Sequence, residues 1–176
     1  MDFVNNEENN LSYSKSINGV KFTLTYKPTD LLVKQELMDS KDVLKIKEFR
    51  SKYNKHIYFN LSMSYNNREL LTSIVSNKKQ FAQMINDLSF GASEKIHLFS
   101  KAKDTLSMSD FNYPRMYDTS KSTTILIVYP RDVEFIEQDY LNLTIDDLGF
   151  DTGEVRFKID MKAIRNEPTL NLQKQN

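Results

Sequence analysis

Ile57-Tyr58-Phe59-Asn60-Leu61-Ser62-Met63-Ser64-Tyr65 is the cleanest alternation in the chain. Ile57, Phe59, Leu61, Met63 and Tyr65 fall on one side, and Asn60, Ser62 and Ser64 on the other. Side chains alternate across a strand, so this period predicts a strand with one face in a core and one in solvent. The same pattern recurs upstream, where Val20, Phe22, Leu24 and Tyr26 alternate with Lys21, Thr23 and Thr25 before Pro28 ends the run. It recurs again downstream. Leu141, Leu143 and Ile145 alternate with Asn142, Thr144 and Asp146, and Val155, Phe157 and Ile159 with Arg156, Lys158 and Asp160. Gly149 and Gly153 give the backbone freedom for a hairpin between those two strands. Residues 123–129 are almost continuously apolar, as expected of a central strand covered on both faces.

Helices are predicted between these strands. Leu31 to Met38 follows a cap at Thr29 or Asp30. A second helix follows Ser40 and carries Val43, Ile46, Phe49 and Tyr53 at roughly helical spacing. The clearest helix is 78–89, where Phe81, Met84, Ile85 and Leu88 form a stripe, Asn77 and Gln80 form a capping box, and Gly91 marks the end. Residues 68–75 read as a short helix or turn, Ile96, Leu98 and 105–108 as short strands, and 109–122 as a long loop. The expected fold is therefore α+β: an antiparallel sheet or sandwich core with two to four helices packed on one side. Residues 1–18 read as a flexible polar tail, 19–170 as a single domain and 171–176 as a loose C-terminus.

Composition narrows the chemistry. The chain has 176 residues, enough to bury a core without staples. It has 11 Phe and 9 Tyr to fill that core. There is no Cys, which removes disulfides, thiolate nucleophiles and Cys-based zinc or iron–sulfur sites. Lys plus Arg and Asp plus Glu are both 24, so the chain lacks the basic excess of a nucleic-acid binder. The longest apolar run, Ile125 to Tyr129, is strand-sized and far short of the ~20 residues of a membrane span. The N-terminus lacks a signal peptide's apolar stretch, so the chain reads as cytoplasmic or as a processed form.

No motif prepares a reacting group. No GxSxG elbow activates a serine, and four Gly form no phosphate-cradling loop. His56 and His97 stand in no zinc-ligand spacing, and structural or surface positions are the expectation for both. No catalytic residue and no cofactor is expected. Between Asp132 and Glu154 lie eight acids and no Lys or Arg. Within that run Asp146, Asp147, Asp151 and Glu154 are candidate oxygen ligands for calcium, against a plainer reading as turn residues of the hairpin loop. Lys34, Lys41, Lys45, Lys47, Arg50, Lys52 and Lys55 cluster on or beside the first two helices. They read as a solvated helix face or as a surface for an anionic partner. The loop residues Phe111, Tyr113, Arg115, Met116 and Tyr117 are the candidate partner-binding group, because their types are enriched at interface hot spots. Against that stands a reading in which the aromatics fold back over one end of the sheet.

Lys21-Phe22-Thr23-Leu24-Thr25-Tyr26-Lys27-Pro28, Phe111-Asn112-Tyr113-Pro114-Arg115, Leu143-Thr144-Ile145-Asp146-Asp147-Leu148-Gly149 and Gly153-Glu154-Val155-Arg156-Phe157 resemble small envelope lipoproteins of Bacteroidota-type bacteria. The Asn-rich start is similar to the tether that follows a lipidated Cys in such proteins. The resemblance spans roughly residues 11–170 and carries no functional residue across. It implies a non-enzymatic binding or assembly component in the periplasm or cell envelope, with a protein partner. Membrane contact would come only through a lipid anchor absent from this chain. The alternatives are a cytoplasmic binding or regulatory protein, and a hydrolase using carboxylates of the acidic C-terminal half. The oligomeric state is not legible.

Overall fold

The strand predicted from the decisive alternation is the middle of the larger sheet. In the computed structural model, which describes residues 11–38, 40, 42–115 and 120–172, it spans His56–Tyr65 (β3). Its neighbours are Val20–Tyr26 (β2) and Thr123–Pro130 (β8), both antiparallel. Ser12–Ile17 (β1) flanks β2, Asp110–Asn112 (β7) flanks β8, and the two-residue Arg68–Glu69 (β4) pairs with the end of β3. The sheet order is β1-β2-β3-β8-β7. Ile57, Phe59, Leu61 and Met63 are all essentially inaccessible to solvent. Burying each contributes roughly 1.5–3 kcal/mol.

The second sheet runs Val155–Asp160 (β10), Tyr140–Ile145 (β9), Ile96–Phe99 (β5) and Thr105–Leu106 (β6), all antiparallel. Its inward residues Leu98, Leu141, Leu143, Ile145, Val155, Phe157 and Ile159 join those of the larger sheet in one core. The arrangement is thus an α+β fold with two antiparallel sheets sharing a core. The sides between the sheets are closed in two ways. The chain passes from β6 to β7 through residues 107–109, with Ser109 N–H donating to Val128 O at 2.8 Å. On the opposite side, the Asp160 N–H donates to Tyr13 Oη at 3.0 Å and Lys15 Nζ lies 5.9 Å from the Phe157 ring centroid. A charged side chain on edge strand β1 also discourages a further strand from pairing there.

Seven helices occur among the described residues. Thr29–Leu37 (α1), Val43–Tyr53 (α2) and Lys78–Ser89 (α4) exceed two turns. Leu70–Ser73 (α3), Ala92–Lys95 (α5), Val133–Ile136 (α6) and Met161–Arg165 (α7) are about one turn each. The α4 bounds and its Asn77 cap agree with the sequence pattern; the Asn77 side chain accepts from Gln80 N–H at 3.2 Å. Two caps differ from expectation. Helix α1 starts at Thr29 with no side-chain cap, and α2 is capped by Asp42 rather than Ser40. Helices α1 and α2 form a hairpin around a separate small cluster of Val33, Leu37 and Ile46.

The expected tail of residues 1–18 is corrected in part. Residues 1–10 lie outside the described residues, but Ser12–Ile17 is strand β1, in full register with β2. Its outward Ser12 and Ser14 hydroxyls bond those of Thr25 and Thr23, each at 3.0 Å. The connecting Asn18-Gly19 pair has φ of +48° and +79°, the two-residue hairpin turn in which both central residues take positive φ. A Cβ at position 19 would also stand 3.0 Å from the Tyr65 ring, so glycine is required there on two grounds.

Candidate functional site

The sequence of strand-ending signals places four charged side chains together. Pro28 stops β2 and starts α1, which sets Tyr26 at the end of the strand and Thr29 and Asp30 in the first turn of the helix. Arg131 follows the end of β8. After α7 the chain runs without helix or strand from Glu167 to Asn171, back past this corner. The Glu167 carboxylate receives four hydrogen bonds. Tyr26 Oη–H donates at 2.8 Å, Thr29 N–H at 2.7 Å, Thr29 Oγ1–H at 3.0 Å and Arg131 Nη2–H at 2.8 Å. Three residues on, Leu170 is held by its backbone. Its N–H donates to Asp30 Oδ2 at 2.6 Å, and its carbonyl accepts from Arg50 Nη2 at 2.8 Å. Arg50 and Asp30 meet side-on, with both nitrogen–oxygen distances at 2.7 Å. Leu172 packs against the Val33–Leu37–Ile46 cluster. Segment 167–172 is therefore a strap tied to the α1–α2 hairpin at three places.

Its electrostatics are those of a clamp. Burial drives the Tyr26 phenol far above its ordinary range, and the neighbouring Glu167 charge adds to this against the opposing pull of Arg131. Tyr26 thus stays protonated and acts as a donor. The Arg50 guanidinium is raised by its hydrogen bonds to Asp30, with burial working against them. Arg131 engages Glu167 through Nη2, while its Nε is buried with no hydrogen-bond partner among the described residues. Beside the strap an open cleft of about 300 Å³ lies between Asp30, Arg50, Ser51 and Asn54 on the helix side and Glu167, Pro168 and Thr169 on the strap side.

The four candidate acids of the hairpin loop take separate roles. Asp147 ties the loop together, accepting from the N–H groups of Gly149 at 2.8 Å, Phe150 at 2.9 Å and Gly153 at 3.3 Å. Asp146 N–H donates to Lys95 O, the Asp151 carbonyl accepts from the Asn18 side chain, and Glu154 pairs with exposed Arg156 at 2.9 Å. No group of three or more His, Cys, Asp or Glu able to hold a metal ion occurs among the described residues. His56 lies on the larger sheet and His97 on the smaller one. Burial pushes the Asp147 carboxyl up, but the three backbone donors outweigh it and hold the group below its ordinary range. Its stabilising effect is therefore present above the ordinary carboxylate pKa and lost as pH falls through the lowered folded value. Asp147→Ala is expected to cost about 1–2 kcal/mol at neutral pH, the scale of losing a helix-cap side chain. Urea titrations at pH 7 and below pH 4 check this: the deficit shrinks at the lower pH, and an equal deficit at both would exclude the charged acceptor as its cause.

The aromatic loop is divided by the fold. Phe111 belongs to β7, and both Phe111 and Tyr113 are half-buried against the core. Arg115 is exposed and its Nη2–H donates to Ser89 Oγ at 3.1 Å, which places its side chain beside the C-terminal end of α4. Met116 and Tyr117 lie outside the described residues. At that helix end stands Phe90, 74% exposed, which the sequence reading did not single out. The signal was available. Phe90 comes two residues after Leu88, about 200° around the helix from the buried stripe, so its ring could not share the burial of Met84 and Leu88.

No family model matches the chain, and neither a curated protein nor a solved structure matches it. The site must therefore be read from its own geometry.

Proposed function

We propose that this chain is a non-enzymatic binding or assembly component of a bacterial envelope, and that it docks a protein partner through Phe90 and the adjoining Arg115. The observation that carries the docking surface is the solvent-facing Phe90 ring next to an arginine tethered to Ser89. A large aromatic and an arginine held on a rigid helix end are the residue types that anchor interfaces. The non-enzymatic reading is supported by how the charges of this corner are engaged: Asp30 pairs with Arg50 and the Leu170 backbone of the strap, and Glu167 of the strap with Arg131, Tyr26 and Thr29. Envelope placement rests on the resemblance of residues 21–28, 111–115, 143–149 and 153–157 to envelope lipoproteins.

The test is surface plasmon resonance against the proteins encoded beside this gene. Phe90→Ala and Arg115→Ala should each weaken the complex by about tenfold or more, the range of a hot-spot truncation. Val133→Ala, at another exposed apolar position, should leave it unchanged. Equal affinity for all three variants would remove this surface from the reading. Fractionation of cells carrying the native gene tests the location, and recovery of the protein with the cytosol would favour the cytoplasmic alternative.

A further inference from the structure

The strap is held as a bound peptide is held. It forms no helix and pairs with no strand, and Pro168, which has no N–H to donate, disfavours continuing the preceding helix. Each tie reads a different property of an extended segment. Arg131, Tyr26 and Thr29 read a carboxylate at Glu167. Asp30 and Arg50 read the backbone N–H and C=O three residues later, at Leu170. The apolar cluster between α1 and α2 reads a leucine five residues after the acid, at Leu172. Charge, backbone and apolar anchor at fixed offsets are the elements of peptide recognition in a groove.

Two observations indicate that the strap fits this groove incompletely. The open cleft of about 300 Å³ between strap and hairpin is space that no side chain among the described residues takes. Arg131 also binds Glu167 through Nη2, and its buried Nε–H has no partner among the described residues. A carboxylate approaching side-on would engage Nε and Nη2 together, the forked geometry that guanidinium groups favour.

We propose that the groove formed by Tyr26, Thr29, Asp30, Arg50 and Arg131 is a peptide-binding site which the C-terminal strap occupies in cis, and that a partner protein displaces the strap with an extended segment bearing an acid and, five residues on, a leucine. The strap then acts as a built-in competitor. Apparent affinity for the incoming segment is lowered in proportion to the fraction of molecules whose groove is open. The proposal does not rest on the Phe90 surface, and failure of one leaves the other standing.

A fluorescein-labelled peptide with the sequence of residues 164–176 is the probe, read by fluorescence polarisation against the full chain. The double variant Glu167→Ala/Leu172→Ala loosens the strap and leaves the groove residues in place. It should bind the peptide roughly tenfold more tightly than the wild type. Replacing the peptide's glutamate by glutamine, or adding Arg131→Leu to the variant, should abolish that gain. Far-UV circular dichroism and a cooperative thermal transition confirm folding. If the double variant lacks one, Leu172→Ser alone, which keeps the Glu167 network, repeats the measurement. A folded variant that binds no better than wild type overturns the proposal, as does a gain indifferent to the peptide's carboxylate. Light scattering should show a monomer. A wild-type dimer lost on loosening the strap would assign the groove to a second copy and overturn the separate partner.

Discussion

Phe59→Ala is expected to lower the free energy of unfolding by about 3–5 kcal/mol, the range for truncating a buried phenylalanine. The ring is 1% exposed at the centre of β3, the strand paired on both sides along most of its length. It lies 5.8 Å from the Tyr26 ring at a tilted angle. Loss of the ring removes transfer energy and leaves a cavity that strands held from two sides cannot close. A domain of this size is stable by only ~5–15 kcal/mol, so the substitution removes at least about a fifth of that margin and, at the low end of the range, all of it. Urea denaturation should show a lower midpoint with the slope retained. Leu44→Ala serves as the contrast, since Leu44 is largely exposed on the helical hairpin and its truncation should stay within ~0.5 kcal/mol. A Phe59 effect as small as that of Leu44 would mean the two sheets do not share the core assigned to them.

What the sequence disclosed follows the range of the interactions involved. Strand β3, helix α4 and the β9–β10 hairpin are set by alternation, by a helical stripe or by a cap within a few residues, and their bounds agree closely with the pattern. Strand β1 was hidden because its outward positions are Ser12, Ser14 and Ser16. Its edge position needs no second apolar face, and only the Asn18-Gly19 turn signals it. The single turns α6 and α7 were likewise masked by their caps. Asp132 accepts from Glu134 and Phe135 N–H, and Asp160 from Lys162 N–H, so the first acid of the run from Asp132 to Glu154 is a helix start, as is Asp160 beyond it. The strap was beyond reach of any local rule. Glu167 meets Tyr26 across 141 positions of chain and Thr29 across 138, and nothing in Glu-Pro-Thr-Leu-Asn-Leu announces its receptor. Of the loop residues proposed for binding, the fold leaves Arg115 outward and turns Phe111 and Tyr113 partly inward, because β7 must cover the edge of β8.

Glu167→Ala is expected to cost about 3 kcal/mol, at the lower end of the range for removing one partner of a buried ion pair. Both side chains retain some exposure, 18% for Arg131 and 14% for Glu167, which tempers the penalty of the stranded guanidinium. The alanine also leaves Tyr26 Oη–H and the Thr29 donors without their acceptor. Arg131→Leu should be costly for the complementary reason, since a carboxylate is then buried on neutral donors alone. The double variant Arg131→Leu/Glu167→Ala should fall short of the summed losses by about 1–3 kcal/mol, the coupling expected of groups in one network. Urea titration of all four proteins gives the cycle. Strict additivity would show that the two charges do not stabilise each other, and that Glu167 is held by Tyr26 and Thr29. Glu167→Gln separates charge from shape: the amide oxygen can still accept from Thr29 N–H, so its loss should be smaller than that of alanine. The size of these losses decides how the strap can work. The alanine loss includes the stranded Arg131 guanidinium, so the net worth of the tie is smaller than the loss. A net worth of about 1.4 kcal/mol corresponds to the tenfold gain expected on loosening the strap, and is weak enough for a segment that also satisfies Arg131 Nε to displace it.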